Sequence, residues 1–225
     1  MTINLLQLLS FLISLWAFVR GVIVVSRKDG PMYFQIVAGT AVCHLLKEAS
    51  MLITHFCDHP SDNLVVVTLA TISSVFFLLS ANFGQLDGIV DDGSAPVWIK
   101  LAACFVPLLI LCSFVAMLAA GLSGNTVQVI ADAATVALML PASYFSAKHL
   151  LLPDDEVGFL RSSRGCNLCA LLYYVTLRLD AFVEAAGAQS TLGAMHILVS
   201  VVVFILVLTA ERGIKRWKIL ISSFS

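Results

Sequence analysis

His44, Lys47, Glu48, Asp132, Asp180, Glu184 and His196 are ionisable residues set in stretches otherwise made of Leu, Val, Ile, Ala and Phe. A charged side chain at the centre of a bilayer costs about 3 kcal/mol on insertion scales, so such residues are rare there and mark a site by default. Three carboxylates and a histidine in a medium of low dielectric suit a proton, a metal ion or an organic amine. A second chemistry is a divalent metal such as Zn²⁺ held by His44, His196 and one or two of Glu48, Asp132 and Asp180. A remaining carboxylate would then be general base to a bound water, as in a membrane-embedded hydrolase or transferase. No H-E-x-x-H or comparable spacing demands that arrangement. Haem ligation by His44 and His196 is a third possibility, and the carboxylates beside both make an odd pocket for it.

These residues recur at helical spacing. In Gln35–Phe56, QIVAGTAVCHLLKEASMLITHF, the residues Thr40, His44, Glu48 and His55 share one face. Tyr173, Thr176, Asp180 and Glu184 form a second stripe, Gln128, Asp132, Thr135 and Met139 a third, and His196 with Ser200 a fourth. The simplest arrangement points these strips at a shared cavity.

The elements that must carry them are membrane helices. The chain has 225 residues, is 60% hydrophobic and 12% charged, and has a mean hydropathy of +0.97, against about 25% charged residues in soluble domains. A net charge of −1 gives no basic surface for nucleic acid. The first stretch, apolar from its third residue, lacks a positive n-region and an A-x-A cleavage site and is expected to be retained as a helix. Hydropathy predicts spans at 3–26, 32–56, 63–84, 97–122, 126–147, 166–187 and 191–212, each near the roughly 20 residues a bilayer requires. Clusters of Gly, Pro, Asp and Ser punctuate them. Pro107 and Pro141 fall inside spans, where membrane helices tolerate kinks. At about 1.5 Å per residue, Glu48 and Asp180 lie roughly 24 and 21 Å from one boundary, and Asp132 and His196 roughly 7–9 Å from the other. Across a core of about 30 Å these form one layer, with His44 deeper and Glu184 and His55 nearer the mouth.

Charge sets the expected orientation. Of the 13 Lys and Arg residues, Lys47 and Arg178 lie within spans; the other eleven fall on one side. They are Arg20, Arg27, Lys28, Lys100, Lys148, Arg161, Arg164, Arg212, Lys215, Arg216 and Lys218. Positive charge stays cytoplasmic, so the N-terminus is expected outside and the C-terminus inside, in a plasma or inner membrane.

The cysteines add little. Cys166-Asn167-Leu168-Cys169 has a C-x-x-C spacing without a second pair, and reads as small residues at the start of span six. Lys47 with Glu48 or Asp180, and Arg178 with another carboxylate, are the obvious structural ion pairs, and Glu211 beside Arg212 reads as interfacial. The inner halves offer only Asn82, Gln85, Ser143, Tyr144 and Asn167, an asymmetry that favours a pocket open to the outside.

The plan is similar to that of seven-helix receptors and microbial rhodopsins in span number and orientation. The likeness ends at topology. Span seven, LGAMHILVSVVVFILVLTAE, has no lysine for a retinal Schiff base, Lys47 and Lys100 lie in other spans, and no D-R-Y-like or N-P-x-x-Y-like motif occurs. Seven-helix membrane metal hydrolases are similar in plan but would bring closely paired histidines on a late helix, where only His196 stands. The expectation is an all-α integral membrane protein, one seven-transmembrane-helix domain over residues 1–225. An outward acidic and histidine pocket (Glu48, Asp132, Asp180, His196, His44, Lys47, Glu184) would bind a cation, proton or small cationic ligand, for sensing or transport. A cytoplasmic signalling partner is compatible with it, and the bilayer is its obligatory environment.

Overall fold

A long apolar helix buried in lipid satisfies every backbone donor and acceptor within itself, which is why this composition folds as a helical bundle. The computed structural model describes residues 2–27, 30–57, 63–87, 95–122, 124–153 and 159–224; side chains at 2–4, 55–57, 63, 189–190, 220–221 and 223–224 are outside the description. Lys28, the loop 58–62, the Asp91-Asp92-Gly93-Ser94 turn and Asp154-Asp155 lie outside the described residues, as does the side chain of His55. Helix accounts for 91% of the structure, with no strand among the described residues, and seven helices are long and apolar enough to cross a membrane.

We number them α1 (Thr2–Val25), α2 (Met32–Cys57), α3 (Asn63–Leu79), α4 (Val97–Ala119), α5 (Thr126–Leu151), α6 (Phe159–Ala185) and α7 (Gln189–Phe224). Helix α3 continues as a π-helical segment, Ser80–Asp87. Helix α4 is interrupted at Cys104, one turn before Pro107, whose ring removes an N–H and crowds the preceding turn. Pro141 leaves α5 continuous.

Helices α1, α2, α3, α5, α6 and α7 pack in succession and close where α7 meets α1, while α2 also touches α7 across the ring. Helix α4 sits outside, against α5. Burial follows: 56% of the apolar window of α6 is buried, against 17% for α4. In lipid, apolar burial no longer favours one helix contact over another, so close approach and polar bonds decide which faces meet. Phe34 of α2 lies so near Gly213 of α7 that a Cβ there would stand 2.2 Å from its ring. Gly21 of α1 similarly abuts the Ala38 carbonyl of α2, 3.0 Å from a built Cβ.

Two ends can be distinguished. The α2–α3, α4–α5 and α6–α7 junctions lie at one, the cleft end; the α1–α2, α3–α4 and α5–α6 junctions and the end of α7 lie at the other, the tail end. Asn125 caps α5 reciprocally with Gln128, through Gln128 N to Asn125 Oδ1 at 3.0 Å and Asn125 N to Gln128 Oε1 at 2.8 Å. Gly187, at φ 67°, ends α6 in the left-handed conformation that glycine adopts without strain.

Several boundaries differ from the hydropathy reading, among them the end of α5, at Leu151 rather than Ala147. Helix α6 starts at Phe159 rather than Cys166, so Cys166 and Cys169 are buried within a helix, not at its start. Helix α7 runs on to Phe224, and the third span continues to Asp87. Window averages fade where Arg, Lys and Asp enter, although the helical hydrogen bonds continue.

Candidate functional site

Between α2, α3, α4, α5 and α6 a cleft of about 650 Å³ opens at the cleft end. Met51, Val67, Met117, Met139 and Leu177 make its apolar lining, with Thr68, Thr71 and Thr135 among them. Five charged side chains face it: Lys47, Asp132, Arg178, Asp180 and Glu184. Apolar walls with a few placed polar groups are the usual make-up of a small-molecule site.

The charges fall into two pairs and a single group. Lys47 Nζ donates to Asp180 Oδ2 at 3.3 Å, and His196 Nε2 stands 3.5 Å from Asp180 Oδ1. Arg178 binds Asp132 through NH1, donates from Nε to Ser113 Oγ at 3.2 Å, and sets NH2 3.1 Å from Met117 Sδ. Asp132 and Arg178 thereby tie α5 to α6, with α4 supplying the remaining partners. Glu184, one turn beyond Asp180 and exposed at the mouth, makes no hydrogen bond or ion pair among the described residues. It is the free carboxylate of the cleft.

Behind Lys47 lies a fully enclosed polar core. Three helices each contribute a pair at i and i+4: Ser10 and Ser14 from α1, His44 and Glu48 from α2, His196 and Ser200 from α7. That spacing puts both members of a pair on one helix face. Ser10 Oγ donates to Glu48 Oε2 at 2.7 Å and lies 2.7 Å from Ser200 Oγ, which is 3.0 Å from His44 Nε2. Ser14 Oγ donates to the Ser10 carbonyl at 3.0 Å and reaches Ser200 Oγ at 3.1 Å. His44 Nε2 stands 3.8 Å from Glu48 Oε1, and its ring meets Tyr173 edge-on; Tyr173 Oη pairs with Ser74 Oγ at 2.6 Å. Three buried atoms in this region have no hydrogen-bond partner: His44 Nδ1, Glu48 Oε1 and Asp180 Oδ1.

A second charged network occupies the tail half. The π-helical segment presents Asn82 and Asp87 to α5. Asn82 Nδ2 donates to the Leu78 carbonyl at 3.1 Å and to Ser146 Oγ at 3.2 Å, and its Oδ1 meets His149 Nδ1 at 3.1 Å. His149 Nε2 lies 3.0 Å from Asp87 Oδ1, which also receives Lys148 Nζ at 2.6 Å. The expectation of a nearly empty inner half is therefore corrected: π-helical geometry extends α3, and α5 runs past Ala147, so Asp87, Lys148 and His149 belong to the bundle. Glu211, read as interfacial, is buried and joins Arg20 of α1 at 3.6 Å, Arg27 at 3.1 Å and Lys215 at 3.2 Å.

No family model, curated protein or solved structure matches this chain. The chemistry must come from its own residues. Among the described residues no group of three or more His, Cys, Asp or Glu side chains could hold a metal ion. His44, His196, Glu48, Asp132 and Asp180, expected as a ligand set, are instead divided, because Arg178 draws Asp132 away towards α4 and Lys47 occupies Asp180. Sequence spacing found the carboxylates but missed Ser10 and Ser14. Their i, i+4 spacing in an otherwise apolar first helix was the available signal.

Proposed function

We propose that this polytopic membrane protein binds a small amphipathic cation in the cleft and serves as a receptor or sensor for it. The observation that carries this reading is Glu184, a carboxylate without a partner, one helical turn beyond Asp180 in a cleft of about 650 Å³ with methionine and aliphatic walls. An amine drawn to Glu184 would place its apolar part against Met51, Met117 and Leu177, and could reach Asp180 by competing with Lys47. The eleven basic residues outside the span interiors support an orientation with the tail end in the cytoplasm and the cleft end outside, in which the ligand arrives from outside. The membrane is a plasma or inner membrane, and a cytoplasmic partner would read the tail end.

Transport is the second reading. On α5 the polar face continues from Asp132 and Thr135 through Ser143 and Ser146 to His149, the length of the helix. A carrier would need the Asp87–Lys148–His149 network to open.

Thermal unfolding in nanodiscs tests the primary reading. A ligand that binds only the folded state raises the melting temperature by mass action. Phenethylamine should stabilise the protein saturably and its uncharged counterpart phenethyl alcohol should not. Glu184→Gln should weaken the amine about tenfold or more, since a charge-assisted hydrogen bond contributes roughly 1.5–3 kcal/mol. Equal stabilisation by amine and alcohol, or none by either, counts against the reading.

A further inference from the structure

The enclosed core behind the cleft does not balance its charge. Arg178 neutralises Asp132, but Lys47 faces two acids, Asp180 by direct contact and Glu48 as its neighbour in the chain. The groups around Glu48 from the other elements are Ser10 and Ser14 of α1, Asp180 and Tyr173 of α6, and His196 and Ser200 of α7, with His44 and Lys47 on its own helix. None supplies a second fixed cation. An uncompensated charge in such surroundings costs several kcal/mol, about the whole stability margin of many proteins.

Hydrogen bonding points to the same place. Ser10 spends its one proton on Glu48 Oε2. Ser200 has one proton, for either Ser10 or His44 Nε2. If Ser200 donates to Ser10, His44 must donate from Nε2 and its Nδ1 is a bare acceptor. If Ser200 donates to His44, Nδ1 carries a proton with no acceptor. Neither tautomer gives Glu48 Oε1 a donor. A proton on that oxygen removes the surplus charge; His44 Nε2, 3.8 Å away and bonded to Ser200, would accept it only by giving up the Ser200 contact. A proton on His196 would instead give Asp180 a second cation and leave Glu48 bare.

We propose that Glu48, backed by His44 and the Ser10–Ser200 hydroxyl pair, is a buried proton-binding site distinct from the ligand-facing cleft. It needs no ligand to be present. One consequence rests on the cleft reading: an amine taking the place of Lys47 at Asp180 frees Lys47 beside Glu48, and the proton on Glu48 is the charge that leaves.

The probe is the proton itself, followed by infrared difference spectroscopy of the full-length protein in nanodiscs while the buffer is taken from acidic to alkaline. The wild type should show a protonated-carboxyl C=O band that Glu48→Gln abolishes and that Glu184→Gln and Asp132→Asn leave in place. Ser10→Ala, which keeps the carboxyl but removes its hydrogen bond, should move the band's frequency. It decides the matter even if Glu48→Gln fails to fold. His44→Gln should shift the band's midpoint by about tenfold in proton concentration. Absence of the band in the wild type, its persistence in Glu48→Gln, or an unmoved band in Ser10→Ala overturns the proposal. None of these readouts depends on an amine, so they fail or succeed separately from the thermal-shift experiment.

Discussion

The cleft half and the tail half each bury acids, bases and a histidine, yet the two are assembled differently. In the tail half Asn82 uses both ends of its amide, His149 both ring nitrogens, and Asp87 receives a lysine and a histidine. In the cleft half the serine pairs are tightly bonded, but His44 Nδ1, Glu48 Oε1 and Asp180 Oδ1 lack partners, and Glu184 stands alone. A complete network rigidifies a fold, whereas an incomplete one in low dielectric is costly unless something else completes it. The contrast is between two networks rather than two whole halves, since Asn167 Nδ2 in the tail half also lacks a hydrogen-bond partner. The Asn82–Asp87–Lys148–His149 network joins α3 to α5. The core behind the cleft is where a proton is expected, beside the cleft proposed for a ligand.

Substitutions can break this contrast, and the largest effect is expected at Asp180. Asp180→Ala takes from buried Lys47 the carboxylate it touches, leaving only Glu48, which is not in contact with it, to offset the charge by giving up its proton. It should cost about 3–5 kcal/mol, with most of that restored in the double variant Lys47→Met, Asp180→Leu, which removes both charges. Chemical denaturation in detergent measures the difference. If the double variant is no better than the single, Asp180 supports the fold through something other than this pair. In the tail half, His149→Ala leaves Asn82 and Asp87 short of a partner and should cost about 1–3 kcal/mol. Phenethylamine affinity should stay unchanged in that variant; a change would mean that the two halves are coupled, as a carrier requires. Smallest of all is Glu184→Gln, expected within about 0.5 kcal/mol of wild type in stability because its side chain has no partner to lose. A large destabilisation there would make Glu184 scaffold.

Much of the bundle was legible from hydropathy, because twenty apolar residues between turn clusters have few alternatives to a membrane helix. The rise per residue led to the expectation of Glu48, Asp132, Asp180 and His196 at similar height, and the structure brings His196 within 3.5 Å of Asp180. The lateral arrangement was legible only in part: the Lys47–Asp180 pair and a carboxylate partner for Arg178 were expected, but not that the partner is Asp132. Whether Asp132 faces Asp180 or turns to Arg178 depends on α4 lying outside α5, which no periodicity in the chain encodes. Asp87, Lys148 and His149 were hidden for another reason. Charged residues at a span end lower the window average, so a π-helical extension and an extra turn of α5 read as loop. Ser10 and Ser14 escaped because serine is commonplace in membrane helices, and only the opposing Glu48 and Ser200 give them a role.

Reaction of one cleft cysteine from one side of the membrane tests the central claim most directly. Thr68 lines the cleft, so a cysteine-free variant carrying Thr68→Cys can be treated in sealed vesicles of known orientation with membrane-impermeant methanethiosulfonates. One reagent carries a trimethylammonium group and the other a sulfonate. The thiol should react only from the face opposite the basic loops, and about tenfold faster with the cationic reagent, because Glu184 and the surrounding carboxylates concentrate positive charge at the mouth. Adding Glu184→Gln should narrow that preference. Faster reaction with the sulfonate, or reaction only from the basic-loop face, would contradict a cation-selective cleft open to the outside.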